Sequence, residues 1–291
     1  MKPKTVIVVL LLIMTAIMLQ PTRSFSQQVP QQDPDYLRDR GRGIPTSIFG
    51  TYVRKGELLI YPFYEYYHDK NLEYEPAEFG FGSLQEFRGR YRANEAVLFI
   101  GYGISDRLAV EFEAGVIAAK FNKASNDLTA LPAQIKESGL SDVEAQIRWR
   151  WNHESAKTPE FFNYVETVFP TGKKNSLIGT SNWEVKLGTG LIKGYKWGTV
   201  TGRISVEYIA AEKKWGLGEY ALEYLKRVSD RFRLYAILEG SEDELALVPG
   251  MTWHLGHGVF LKVNNGFGVT SKATDFAPEV GIMFSLGRQR D

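Results

Sequence analysis

Apolar and polar side chains alternate with a period of two over segments of nine to eleven residues, the joins between segments fall into two alternating classes, and the one long apolar run sits at the N-terminus. Together these predict an all-β fold: a transmembrane antiparallel up-and-down β-barrel of about twelve strands with a polar lumen, spanning residues 56–291. The bulk composition, 44% hydrophobic and 24% charged, conceals such a fold, because a barrel wall averages its two faces. A net charge of +1 gives no reason to expect a nucleic-acid partner.

The chain opens with Lys2 and Lys4, an apolar run from Val6 to Leu19, and the small-residue end Ser24-Phe25-Ser26. The run is too short for a spanning helix and matches an export signal over residues 1–26, with a mature start near Gln27. The sequence holds no cysteine, so neither a disulfide framework nor a lipid-acceptor thiol follows the signal. Residues 27–55, which include QQVPQQDPDYLRDRGRGIPTS, are rich in Gln, Pro, Gly and charge and lack a steady apolar period. They read as a periplasmic tail or plug.

The first strand carries IYPFYEYY, Ile60 to Tyr67, read chiefly as an aromatic band and secondarily as a stacking surface for solutes. The stretch from Leu84 to Ile104 is long and holds one or more strands. LAVEFEAGV sets Leu108, Val110, Phe112 and Ala114 against Glu111, Glu113 and Gly115. DVEAQIRWRWN sets Val143, Ala145, Ile147, Trp149 and Trp151 against Asp142, Glu144, Gln146, Arg148, Arg150 and Asn152. VTGRISVEY, RFRLYAILE and APEVGIMFSL repeat the division. Tight joins at Ser105-Asp106-Arg107, Tyr195 to Gly198, Ser229-Asp230 and Gly256-His257-Gly258, with the longer NHESAKTPE as a fifth, alternate with joins that are mostly longer or more polar, such as PTGKKNSLIGTS and TSKATD. Two classes of join imply a sheet with two different ends, both termini lying at the tight-turn end.

A soluble sandwich also alternates, but its strands run about 5 or 6 residues, whereas a tilted strand needs about 9 to 11 to cross a bilayer. Energetics assigns the faces. An arginine turned to lipid near the midplane costs roughly 2 to 4 kcal/mol, so the charged face belongs inside. The expected lumen lining is Glu111, Glu113, Glu144, Arg148, Arg150, Glu166, Glu184, Lys186, Arg203, Glu207, Arg231, Arg233, Glu239, Lys262 and Glu279, with Arg90 on the same side. The expected interfacial girdle is Trp149, Trp151, Trp183, Tyr208 and Trp253.

Several stretches carry a family likeness. The run Gly139-Leu140-Ser141-Asp142-Val143, the turn Pro170-Thr171-Gly172-Lys173-Lys174 and the strand around Gly188 to Gly190 resemble the bacterial outer-membrane proteins of the MetA-pathway of phenol degradation family, over about a quarter of the chain. The resemblance implies a transporter-like barrel linked to aromatic compounds and supplies no catalytic residues.

Other motifs carry less. PTGKKNS lacks the first glycine of a phosphate loop, Thr167 standing in its place, and GYG at Gly101 to Gly103 lacks a third glycine and a helix. His254 and His257 flank a turn without a carboxylate cluster, so no metal or cofactor is expected. A hydrolase would need a histidine base near the outer loops, where only His68 falls, and no enzyme is expected. The expected partners are outer-membrane lipid and a small solute. The inward charges suit either of two roles: a selectivity lining for passive or facilitated passage, or an ion-pair network that seals a barrel acting through its outer loops.

Overall fold

The computed structural model describes residues 33–172, 177–180, 182–210 and 213–287. The expected signal at residues 1–26, residues 27–32 and Lys173 to Ser176 of the PTGKKNS stretch lie outside them. Among the described residues no helix is long and apolar enough to cross a membrane.

After a short 3-10 turn at Asp35–Leu37 come two brief strands, β1 (Ile44–Pro45) and β2 (Tyr52–Val53), which pair with each other. The wall follows: β3 (Glu57–Tyr74), β4 (Phe87–Gly103), β5 (Leu108–Asn122), β6 (Gln134–Leu140), β7 (Val143–Asn152), β8 (Glu160–Phe169), β9 (Glu184–Tyr195), β10 (Gly198–Ile209), β11 (Lys214–Arg227), β12 (Phe232–Ser241), β13 (Glu244–Gly256), β14 (Val259–Gly268) and β15 (Phe276–Gly287). All pairings in the wall are antiparallel between neighbours, and β15 returns to β3, from Glu57 against Gly287 to His68 against Phe276. The sheet is closed from β15 back to β3, and among the described strands of the wall only the short β6 is paired on one side alone.

The closed sheet has twelve staves, because β6 and β7 are two halves of one. β5 pairs with β6 over Val116–Asn122 and with β7 over Leu108–Glu113. The stave breaks at Ser141-Asp142, where Ser141 Oγ accepts the Gly115 N–H at 2.9 Å and Asp142 turns to bind the loop above β8. The ambiguous stretch before Ile104 is a single strand of 17 residues. The five expected tight joins are all present, with both wall termini at their end. At the other end β12 and β13 are joined by a turn of only two residues, Glu242 and Asp243, so not every connection there is long.

The two faces obey opposite rules. In β7, Ile147, Trp149 and Trp151 are 55%, 40% and 56% exposed, whereas Arg148 and Arg150, between them, are each 1% exposed. The same inversion runs around the wall. Leu187, Leu191, Ile204, Val206, Leu222, Leu234 and Leu247 are exposed, while Glu111, Glu166, Glu223 and Lys262 are buried. Rings gather at two levels of this apolar outside. Near the tight turns, Trp149 packs edge-on to Trp151, and Trp197 stacks between Tyr195 and Tyr224, with Trp253 also exposed. Near the other end Trp183 packs on Phe169 and Tyr208 on Trp215. All five expected girdle residues are in these two groups, although Tyr208 is half-buried.

The first strand corrects its reading as chiefly an outer band. Tyr61 and Phe63 stack on each other on the inner side and are buried, and the outward rings are Tyr64 and Tyr66. Arg90 is corrected too. The inner side of β4 holds Gly89, Tyr91 and Ala93, so Arg88, Arg90 and Arg92 point outward. The rule that arginines turn inward applies at membrane midplane, and β4 continues well beyond the apolar belt.

Candidate functional site: the barrel interior

Polar side chains of the wall converge on the interior, and at the tight-turn end they meet residues 33–56. Arg40, in that segment, reaches Glu160 at 2.7 Å and Glu154 at 3.1 Å, and all three side chains are buried. Glu160 also binds Arg150 at 2.9 Å, and Glu154 also binds Lys193 at 3.1 Å. Arg150 donates to the Gly43 carbonyl, and Asp39 accepts the Arg227 N–H at 3.0 Å. Bonds to β7, β8, β11 and the turn after β7 therefore hold one short stretch of chain. Two wall glycines permit its close approach: a Cβ at Gly194 would run into the Tyr36 carbonyl, and one at Gly103 into that of Arg54. In the turn, His153 contacts Arg150, and its pKa is lowered by desolvation and then by that guanidinium.

Higher up, Glu111 accepts from the Ser47 amide at 2.8 Å and pairs with Arg148 at 3.0 Å. The Arg148 guanidinium lies over Tyr164, 4.9 Å from the ring centre, and Arg203 lies 4.0 Å from that of Phe49. Ile44 and Val53 pack with Leu59, Tyr61, Phe99 and Ala109 of the wall. The hairpin of β1 and β2 thus has a charged flank and an apolar flank, each matched by the wall.

Beyond the hairpin the balance of charge changes. Lys186 binds Glu219 at 2.6 Å and Glu166 at 3.0 Å. Gln146 donates to Glu166. Around them carboxylates face one another without an intervening cation. Glu65 stands opposite Glu95 on one side and Glu279 on the other, and Glu113 stands opposite Glu144. A cavity of about 380 Å³ lies here, lined by Glu95, Glu113, Glu144, Glu184 and Lys186 among others. Its outer side is shaped by Asp142, whose carboxylate accepts from the amides of Gly172 and Thr180, both at 2.6 Å, and so ties down the loop after β8.

Of the fifteen side chains expected in the lumen, Glu111, Arg148, Arg150, Glu166 and Lys262 are buried, and Glu113, Glu144, Glu184, Lys186, Arg203, Glu207, Arg233, Glu239 and Glu279 are half-buried. Arg231 departs from the set. It lies in the turn before β12, exposed, because the ladder begins only at Phe232. Sequence reasoning missed Arg40, Glu154, Glu160, Glu65, Glu95, Glu219 and Glu223. Glu219 and Glu223 were legible from their phase with Ala221, whereas Arg40 gave no signal within an aperiodic segment. Among the described residues no three His, Cys, Asp or Glu side chains converge as metal ligands. His68 faces outward, against Arg92 at 3.1 Å.

No family model and no curated protein matches the chain. Among solved structures it is similar to the COG4313 outer membrane channel from Pseudomonas putida F1, with a TM-score of 0.61 at 13% identity over 80% of this chain and 96% of that one. It is also similar to the translocator domain of the autotransporter NalP from Neisseria meningitidis, with a TM-score of 0.46 at 12% identity over 79% of this chain and 88% of that one. At these identities the likeness is one of fold, and the fold is the closed barrel of outer-membrane channels.

Proposed function

We propose that this chain is an exported outer-membrane β-barrel through which small solutes pass, with the tight turns in the periplasm and residues 33–56 standing in the lumen as a plug. The observation that carries this reading is the inverted wall, leucine and tryptophan outside and paired arginine and glutamate inside, an arrangement costly in water and favourable in a bilayer. Passage is diffusive. Solutes enter the acidic upper cavity and advance where the hairpin yields, and no catalytic residue takes part. The resemblance carried by Gly139 to Val143 and Pro170 to Lys174 supports aromatic or hydrophobic compounds as the solutes.

A second reading has its own support. The pairs that join Arg40, Glu154, Glu160 and Arg150 would seal the barrel, leaving activity to the outer loops. Planar bilayers separate the two. The full mature chain is expected to give small stepwise currents, and deletion of residues 33–56 is expected to enlarge each step severalfold. Folded, inserted protein that stays silent in both forms would favour the sealed barrel, and equal steps would remove the hairpin from the conduction path.

A further inference from the structure

The outer face of the wall carries a cationic row at its long-loop end. Across β3 to β6 the ladder places His68 opposite Arg92, Arg92 opposite Lys120, and Lys120 opposite Lys136. Arg92, Lys120 and Lys136 are exposed, and no described carboxylate pairs with any of them. Like charges directly opposite one another on a sheet are destabilising, so three in one row require a counter-charge.

The level of this row is informative. Lys120 lies twelve residues along its strand from Leu108, just as Trp183 lies twelve from Tyr195. At the foot of β9 this level holds the Trp183 ring, and on β3 to β6 it holds basic side chains instead. One step toward the membrane centre, Tyr66, Asn94, Ala118 and Ser138 form the next row, and a step further Tyr64, Ala96, Val116 and Leu140 form another. From rim to belt the sequence is cationic, hydroxyl or amide, then apolar, which is the order phosphate, sugar or glycerol, acyl chain. The first two rows also border a groove of about 400 Å³ lined by Tyr66, Arg92, Asn94, Lys120, Lys136 and Ser138, and by Glu137, whose carboxylate accepts the Leu177 amide at 2.8 Å.

We propose that this groove holds the phosphate-bearing headgroup of a lipid of the outer leaflet, its phosphate on Arg92, Lys120 and Lys136 and its sugar or glycerol over Asn94 and Ser138. The inference rests on the outer-membrane reading, in which long loops face the outside. A surface cation near a membrane adds about fivefold to the affinity for anionic lipid.

The test uses the full mature chain inserted in phosphatidylcholine nanodiscs and titrated with lipid A, with bound lipid counted by native mass spectrometry. Wild type is expected to retain lipid A. Arg92→Gln/Lys120→Gln/Lys136→Gln is expected to bind about a hundredfold more weakly, Lys120→Gln alone about fivefold, and dephosphorylated lipid A as weakly on wild type as lipid A on the triple variant. Arg231→Gln, at the other end, is expected to leave binding unchanged. Should the triple variant fail to fold, the single variant and the dephosphorylated lipid still decide the matter. Equal binding by variant and wild type, or by phosphorylated and dephosphorylated lipid, overturns the site, and displacement by an equal concentration of inorganic phosphate overturns the lipid as its occupant. If wild type does not insert into the bilayer at all, the outer-membrane reading falls and this one with it. Normal insertion with equal binding removes this one alone.

Discussion

The lower and upper halves of the interior are made from the same residue types and arranged to opposite effect. At the tight-turn end buried charges are paired between the wall and the segment that enters it, Arg40 with Glu154 and Glu160, and Arg150 and Lys193 with the same two carboxylates, while Asp39 accepts the Arg227 amide. At the long-loop end Glu65, Glu95 and Glu279 face one another, as do Glu113 and Glu144, with Lys186 already committed to Glu166 and Glu219. The upper half carries a surplus of carboxylates around a cavity of about 380 Å³. The difference teaches that a polar lumen need not be uniform, since the same glutamates are paired where a cation is supplied and face one another where it is not.

The largest effect that would break this comparison comes from Arg40. Arg40→Ala leaves Glu154 and Glu160 buried with one cation fewer, and removing one partner of a buried pair costs about 3–5 kcal/mol. The segment is expected to detach before the wall unfolds, because nothing covalent holds the hairpin of β1 and β2 against β8. Faster protease cleavage within residues 33–56, together with unchanged heat-modifiable mobility of the barrel, is the expected pattern. Cleavage at the wild-type rate would mean that the apolar flank, Ile44 and Val53 against Leu59, Tyr61 and Phe99, holds the segment unaided.

A smaller effect sharpens the upper half. Glu113→Gln with Glu144→Gln removes two facing carboxylates from the cavity and leaves its shape nearly intact. The wild-type channel is expected to prefer cations, and the double variant to lose much of that preference, measured as the reversal potential under a potassium chloride gradient. A wild-type preference for anions would show that Lys186, Arg203 and Lys262 dominate the path instead.

What the sequence made legible follows from the same physics. The period of two in DVEAQIRWRWN assigns Arg148 and Arg150 to the inside because the alternative, arginine in hydrocarbon, is too costly at mid-strand, and both are buried there. That rule weakens toward the ends of long strands. β3, β4 and β5 run 18, 17 and 15 residues, longer than a crossing needs, so the polar positions Arg88, Arg90 and Arg92 stand outside the apolar belt where the cost vanishes. Local alternation holds there as well, with Gly89, Tyr91 and Ala93 as the inner face, but neither face is distinctly apolar. Arg40 was illegible for another reason. Its partners lie 114 and 120 residues away, and an irregular segment carries no phase from which such a pairing can be read.

The smallest expected effect lies outside the lumen and asks whether the rim shares its design. The loop between β5 and β6 is held by Asp127, which accepts from the Thr129 amide and from the Tyr74 hydroxyl, both at 2.8 Å, above a cluster of Tyr74, Phe87, Phe121 and Leu131. Burial raises the pKa of this carboxyl, but the bonds from Thr129 and Tyr74, aided by Lys123, outweigh it and hold the group below its ordinary value. A carboxyl with a depressed pKa stabilises the folded loop fully above its unfolded pKa of about 3.9 and loses that contribution as pH falls through the folded value. Amide exchange over residues 123–133 is therefore expected to be slow at neutral pH and, once corrected for the intrinsic pH dependence, to lose protection only below that point. In Asp127→Asn, which keeps the shape without the charge, protection is expected to be reduced at neutral pH and flat through acid. A variant that titrates like wild type would place the acid sensitivity elsewhere on the rim, and the pairing logic of the lower lumen would then stop at the membrane.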